Sequence, residues 1–461
     1  MTLGNRARAG KLGARSPMLP PGRQPRLAPP AGGDDRPASA PTRNATVGAV
    51  LFATSLAVYL AVFQIFPKRP WSMLDLRIYL WGGSLIRHSQ DPYVRSYLPG
   101  NLHFTYSPMA AGIFALLDIL NLQVVKVLVV AASVASLVGV LWLTWGALGR
   151  ERSAARLGAT LSMAAVALWI EPVRQTLSYG QVNLVLMLII VADLCLPDTR
   201  WWKGAGVGLA AGFKLTPLIF IPYLLLTRRF RAAAVAAASF AVTVIGSSLL
   251  LPTAAHHYWL RGLFLDPNRL GNVHYVANQS LYGALLRLLG SAAAARPYQL
   301  LAEVLVGVVG LVLAAWTSRR GQEMIGVLVC AITGLLVSPV SWSHHWVWAA
   351  PVLVVLADFA SRPPSLAVAA SWRRACWLGA ATVAAVFSGM MWTIPGLAKQ
   401  GYVVTGSEQL LGDLYVVAGL VGLGVVAAFL VIARRPDQHL SPVAAARDGE
   451  EPLEPGLAAQ P

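Results

Sequence analysis

The sequence predicts an all-α fold: a polytopic membrane helical bundle with about 11–13 transmembrane helices. Three observations lead there. Of 461 residues, 56% are hydrophobic and only 12% charged, more apolar surface than a soluble chain of this length could hide. Apolar runs recur, many of them close to the roughly 20 residues that cross a hydrocarbon core. The charges that remain gather between those runs. The net charge of +17 would suggest nucleic acid in a soluble protein. In a membrane protein basic residues concentrate in cytoplasmic loops, so the expected partner is the lipid bilayer and no nucleic acid.

Residues 1–44 are rich in Pro, Gly, Ala and Arg and poor in large apolar residues. They read as a disordered basic cytoplasmic tail with no removable signal peptide. The first span covers 45–66 and runs outward. An outer loop, 67–107, follows, carrying Trp71, Asp75, Arg77, Tyr79 and Tyr106; within it, Leu74–Arg87 has the spacing of a helix lying along the membrane surface. Residues 108–120 are apolar but short, and 124–148 are long enough to cross. After a basic loop at 149–156 come a span at 157–170 and a polar link at 171–183. Further apolar runs lie at 184–196, 204–226, 232–251, 300–316, 324–337, 346–357, 377–392 and 411–433. Residues 436–461 read as a disordered tail, leaving 45–435 as one membrane-embedded domain. The cysteines Cys195, Cys330 and Cys376 are far apart, with no zinc-ligand spacing.

Basic residues at 149–156, 198–203, 228–231, 317–323, 372–374 and 434–435 mark the cytoplasmic side. That count works only if 108–148 crosses an odd number of times and 204–226 an even number. Lys214-Leu-Thr-Pro217 offers the break for a helix that dips in and returns, which is tolerated where it lines a polar cavity. The polar clusters 67–107, 171–183, 256–279 and 338–345 then share the outer face as a composite site.

Asp75 is one of few acids and the candidate proton acceptor. Glu171, Arg174, Gln181 and Asn183 occupy one link: Arg174 suits an anionic phosphate and Glu171 a sugar, although a Glu171–Arg174 pair capping the span explains them equally simply. Lys214, inside an apolar run, either snorkels or meets a fixed negative charge such as a phosphate. Trp342, His344 and His345 open another span, as an interfacial aromatic belt or as phosphate donors. Asn278 and Gln279 are possible acceptor contacts. No Gly-rich phosphate loop is present, which argues against a nucleotide-sugar donor.

Seven stretches, in order, carry a resemblance: Asp75-Leu-Arg-Ile-Tyr79, Phe104-Thr-Tyr-Ser-Pro108, Glu171-Pro-Val-Arg174, Gly180-Gln-Val-Asn183, Gly212-Phe-Lys-Leu-Thr-Pro217, Asn278-Gln-Ser-Leu281 and Ser338-Pro-Val-Ser-Trp-Ser-His-His-Trp346. Together they resemble family 87 of the glycosyltransferases, GT-C-fold membrane enzymes, mostly actinobacterial. The resemblance implies an inverting transfer of mannose from polyprenyl-phosphate-mannose to a mannosylated glycolipid or lipoglycan (phosphatidylinositol mannoside, lipomannan or lipoarabinomannan), usually in α-(1→2) linkage, on the outer face of the cell membrane. It implies Asp75 as base. It also matches the family's histidine to His344 or His345; beside it, Arg174 and Lys214 are the expected donor-phosphate contacts, and Arg77, Tyr79, Tyr106, Glu171, Gln181, Asn183, Asn278, Gln279 and Trp342 the expected substrate contacts. Such a transfer needs one base and, since a lipid phosphate leaves as a stable anion, no general acid. With no paired acidic motif, neither metal nor cofactor is expected. The rival readings are an arabinofuranosyltransferase using decaprenyl-phosphate-arabinose and a flippase of lipid-linked glycans.

Overall fold

The computed structural model describes residues 39–65, 73–97, 102–363, 365, 368–394 and 408–432. Trp71, the turn at 67–70 and the expected tails, apart from residues 39–44, lie outside the described residues. Helices dominate. From the N-terminus they are α1 (Ser39–Ile65), α2 (Leu74–Arg87), α3 (Pro108–Leu117), α4 (Leu122–Ala147), α5 (Ala154–Ala167) and α6 (Glu171–Tyr179). Next come α7 (Asn183–Leu194), α8 (Ala205–Phe213), α9 (Phe220–Leu226), α10 (Phe230–Leu250), α11 (Pro252–Ala255) and α12 (Leu281–Leu289). The chain ends with α13 (Ala292–Arg319), α14 (Glu323–Val337), α15 (Ala349–Ser361), α16 (Ala369–Val386), α17 (Glu408–Gly412) and α18 (Leu414–Ile432). Among the described residues the only sheet is a two-strand ribbon in which Ser96 pairs with His103.

Among the described residues, five helices are long and apolar enough to cross a membrane alone: the stretches Arg43–Val62, Leu122–Ala147, Phe230–Leu250, Ala292–Arg319 and Leu414–Val431. A sixth span is possible if α5 and α6, bent by 76°, count as one. Shorter apolar helices fill the rest, so the protein is a multi-pass membrane protein whose elements are often half-length or broken. That is why apolar runs in the sequence suggest a larger number. The first helix also starts at Ser39 rather than at Ala45.

Two groups of loops form the ends of the bundle. At one end Arg150 pairs with Asp358 (2.6 Å), Lys203 with Asp198 (2.7 Å), and Arg229 with both Asp198 (3.3 Å) and Glu323 (2.5 and 2.7 Å). Arg320 donates to the carbonyl of Leu430 at the close of α18 (3.3 Å). The start of α1 lies at this end too, since a Cβ on Gly158 would sit 2.3 Å from the Asn44 carbonyl. At the other end the polar stretches bond to one another, as described below. Helices α7, α10, α14, α15 and α18 each run from one group to the other.

The segment from α8 to α9 makes the return trip the sequence suggests. Helix α8 leaves the basic end beside Lys203 and stops at Lys214, whose backbone is extended (φ −143°, ψ 131°). A 3-10 turn, Thr216–Ile219, and α9 lead back to Arg228. Glycines at every fourth position let α8 lie against α10: a Cβ on Gly204, Gly208 or Gly212 would meet Ala232 O, Ala236 O or Thr243 Oγ1 at 2.0–2.3 Å. Helix α2 has the expected bounds, but Leu76, Ile78, Tyr79, Leu80 and Leu85 are buried, so it is packed into the body of the protein. The expected link at 171–183 is itself helical over most of its length.

Candidate active site

Helix α2 starts against the end of α6. Met73, just before α2, is fully buried in the left-handed region (φ 43°), and its N–H donates to the Ser178 carbonyl (3.0 Å). Gly180 closes α6 with φ 68°, and a Cβ there would lie 2.7 Å from Leu76 Cβ and 2.9 Å from Met73 Sδ. The chain therefore needs glycine at 180 twice, for the turn and for the approach. This junction brings Gln181 to Asp75. The Gln181 Nε2 donates to Asp75 Oδ2 (2.5 Å), its Oε1 accepts from the Tyr106 hydroxyl (2.9 Å), and Tyr79 donates to Tyr106 (3.2 Å). With both ends of the amide engaged, the Asp75 carboxylate is held in one orientation. Burial pushes its carboxyl up to about 6, against the lowering effects of the Gln181 bond and the Lys214 charge.

At the tip of the α8–α9 hairpin, Lys214 donates from Nζ to Asn183 Oδ1 (3.1 Å) and to His345 Nε2 (2.9 Å). It also stands 5.6 Å from the centre of the Tyr106 ring. Accepting from Lys214 requires His345 to carry its proton on Nδ1. Burial first and the Lys214 charge second hold both His344 and His345 well below the ordinary histidine value, so both rings are neutral at pH 7. The His344 backbone carbonyl accepts from Asn183 Nδ2 (2.9 Å) and Thr176 Oγ1 (3.0 Å). Its Nε2, like Nδ1 of His345, meets no protein partner.

Asp75, Tyr79, Tyr106, Gln181, Lys214, Trp342, His344 and His345 all line one cavity of about 1270 Å³. That exceeds the roughly 300–1,000 Å³ of a pocket for one small ligand, leaving room for two substrates together. The structure thus gathers eight of the expected residues from five of the seven stretches.

The other six do not line it. Arg77 lies on the exposed side of α2. Arg174 donates to the Ser388 carbonyl (3.2 Å). Glu171 is fully buried and accepts from the Ser343 hydroxyl (2.7 Å), Trp392 Nε1 (3.1 Å) and the Tyr415 hydroxyl (3.0 Å). Asn183 supports Lys214 and His344 from behind. Asn278 and Gln279 are fully buried and spend their amides on backbone: Asn278 Oδ1 accepts from Ser341 N (2.9 Å), and Gln279 Oε1 accepts from Tyr415 N (3.0 Å). Together with the Ser343 N–H to Ala277 carbonyl bond (2.7 Å), they fix the strand-like stretch that carries the histidines. Apart from Arg77, these residues are supports of the site rather than its wall.

Tyr179, Tyr275, Asn272, Asp266, Arg269 and His103, which belong to the expected outer polar clusters without being candidate site residues, also line the cavity, as does Trp392 from outside those clusters. The aromatic residues among them carry no charge or spacing that marks a site, since such residues are common at membrane interfaces. Arg269 donates to the Tyr93 carbonyl (2.8 Å), and Tyr93 donates to the Tyr106 carbonyl (2.7 Å). His257 bonds Asp91, tying the 256–272 segment to the first outer loop.

Comparison with known proteins places this arrangement. The model of glycosyltransferase family 87 matches residues 104–339. A Mycobacterium tuberculosis (strain CDC 1551 / Oshkosh) polyprenol-phosphate-mannose-dependent alpha-(1-2)-phosphatidylinositol pentamannoside mannosyltransferase is 34% identical, over 85% of this chain and 90% of its own length. A Mycolicibacterium smegmatis relative of the same description is 35% identical, over 65% of this chain and 75% of its own. A polyprenol-phosphate-mannose-dependent alpha-(1-2)-phosphatidylinositol mannoside mannosyltransferase of M. tuberculosis H37Rv is 33% identical, over 78% and 82%. The protein is thus a multi-pass, helical membrane glycosyltransferase. More narrowly, the chain belongs to glycosyltransferase family 87.

Proposed function

We propose that this enzyme moves mannose from polyprenyl-phosphate-mannose to a phosphatidylinositol mannoside, forming an α-(1→2) bond with inversion. Asp75 takes the proton from the acceptor hydroxyl as that oxygen attacks the anomeric carbon. Lys214, with the free ring nitrogens of His344 and His345, receives the phosphate as the sugar departs; donors already aimed at a developing charge need no rearrangement during the reaction. The observation that carries this reading is Asp75, fixed by Gln181, on the wall of the same cavity as Lys214 and His345. The names of the relatives support the donor, the acceptor and the linkage. The reaction requires no proton donor to the leaving group, which suits the neutral histidines.

The charge distribution supports a cell-membrane protein with its N-terminus in the cytoplasm and its cavity on the outer side, since the basic loops collect at the end away from the cavity.

The test is transfer by purified protein offered labelled polyprenyl-phosphate-mannose or decaprenyl-phosphate-arabinose, with phosphatidylinositol mannosides as acceptors. Mannose alone should appear in product, in α-(1→2) linkage and with chelator present. Arabinose transfer, or lipid movement that survives Asp75→Asn without any sugar transfer, would overturn the reading.

A further inference from the structure

An inverting displacement sets a geometric demand. The incoming hydroxyl and the leaving phosphate lie on opposite faces of the anomeric carbon. If Lys214 and His345 receive the phosphate, the acceptor must approach the anomeric carbon from the face turned away from them, within reach of Asp75. Near Asp75 part of the cavity wall is aromatic. Tyr179 lies within electrostatic range of both Asp75 and Tyr275. Tyr275 in turn packs against Trp392, with ring centres 6.0 Å apart and planes at 52°. All three line the cavity.

These rings are held from behind. Trp392 Nε1 donates to Glu171 Oε1 (3.1 Å), the same oxygen that accepts from Ser343 (2.7 Å) next to the histidine pair. Tyr179 meets the His344 ring edge-on at 5.4 Å. One buried carboxylate thus sets the position of both Trp392 and the stretch that carries the histidines. Aromatic faces attract the C–H-rich face of a pyranose, because the ring quadrupole is negative over its face. Neutral sugars, with little charge to grip, are recognised well by such surfaces.

We propose that Tyr275 and Trp392 form the acceptor subsite, on which the terminal mannose of the glycolipid stacks while its hydroxyl reaches Asp75. This assignment rests on the mannosyl transfer proposed above.

Two measurements on the full-length protein in nanodiscs test it: steady-state kinetics with each substrate varied, and equilibrium binding of a labelled phosphatidylinositol mannoside without donor. Tyr275→Ala and Trp392→Ala should each raise the acceptor KM and weaken acceptor binding about tenfold, the effect of losing a ring contact with its buried area. The donor KM should stay within about twofold. Trp392→Phe keeps a ring but loses the bond to Glu171, and should recover most of the acceptor affinity. If Phe fails as badly as Ala, or donor and acceptor KM rise together, the residue only holds the fold and the subsite is refuted. Unchanged acceptor binding in both alanine variants refutes it as well. Should wild-type protein bind the glycolipid through these rings yet transfer no mannose, the proposed reaction falls while the subsite stands.

Discussion

At the scale of single residues, the site turns on one carboxylate and its proton. A general base works only when ionised. With Asp75 raised to about 6, kcat/KM should climb with pH through that value and fall about tenfold per unit below it. Removing the Gln181 hydrogen bond takes away a donor that favours the ionised form. Gln181→Leu should therefore move the acid limb of the profile to higher pH, a shift read directly from kcat/KM between pH 4 and 8. Asp75→Asn should reduce kcat by at least about a hundredfold while donor binding persists. An acid limb that stays near pH 4 in both proteins would remove Asp75 from the role. Asp75 was legible in the sequence because acids are so few that one beside an apolar run draws notice. Tyr275 and Trp392 were not legible, since only the folded chain distinguishes a cavity wall from a lipid-facing belt.

At the scale of elements, the junction of α2 and α6 sets the catalytic geometry. Alanine at Gly180 would strain the backbone at φ 68° and drive its Cβ toward Leu76 and Met73. The expected cost is about 1–3 kcal/mol. More telling, Gly180→Ala should lower kcat more than it raises either KM, because it shifts Asp75 relative to Gln181 without touching substrate. Equal losses in kcat and in folded yield would mean the junction serves only stability. The bounds of α2 and the break at Lys214 could be read from spacing and from Pro217. That α6 is a helix escaped notice because Glu171, Arg174 and Gln175 make it polar. Its helical face is buried by contacts from chain more than 150 residues away, such as Ser343 and Tyr415.

Across the whole molecule, buried and exposed ion pairs should behave differently. The Arg287 and Asp413 side chains are 3% and 9% exposed, and Arg287 also donates to the Asn278 carbonyl (2.9 Å). Asp413→Ala leaves that guanidinium without its counter-charge and should cost about 3–5 kcal/mol. By contrast Arg87→Ala, which breaks a pair whose side chains are 43% and 23% exposed, should cost under about 1 kcal/mol. Thermal unfolding in one detergent compares the two. The proposed sidedness has its own check. In a variant with the three natural cysteines replaced, a cysteine at Asn272 should react in intact cells with a membrane-impermeant maleimide, and one at Arg152 should not. The opposite pattern would invert the topology.

The sequence alone determined that this is a helical membrane protein, and its ordered motifs pointed to the enzyme family. Apolar runs and scattered charges are local properties, and the bilayer reads them along the chain. Tertiary structure decided which polar residues meet. Glu171, Asn278 and Gln279 have the chemistry of ligands, yet their donors and acceptors are taken up by protein groups, and unremarkable aromatic residues hold the wall instead. Whether a polar group faces a substrate or its own fold depends on partners far away in the chain, and no local pattern records them.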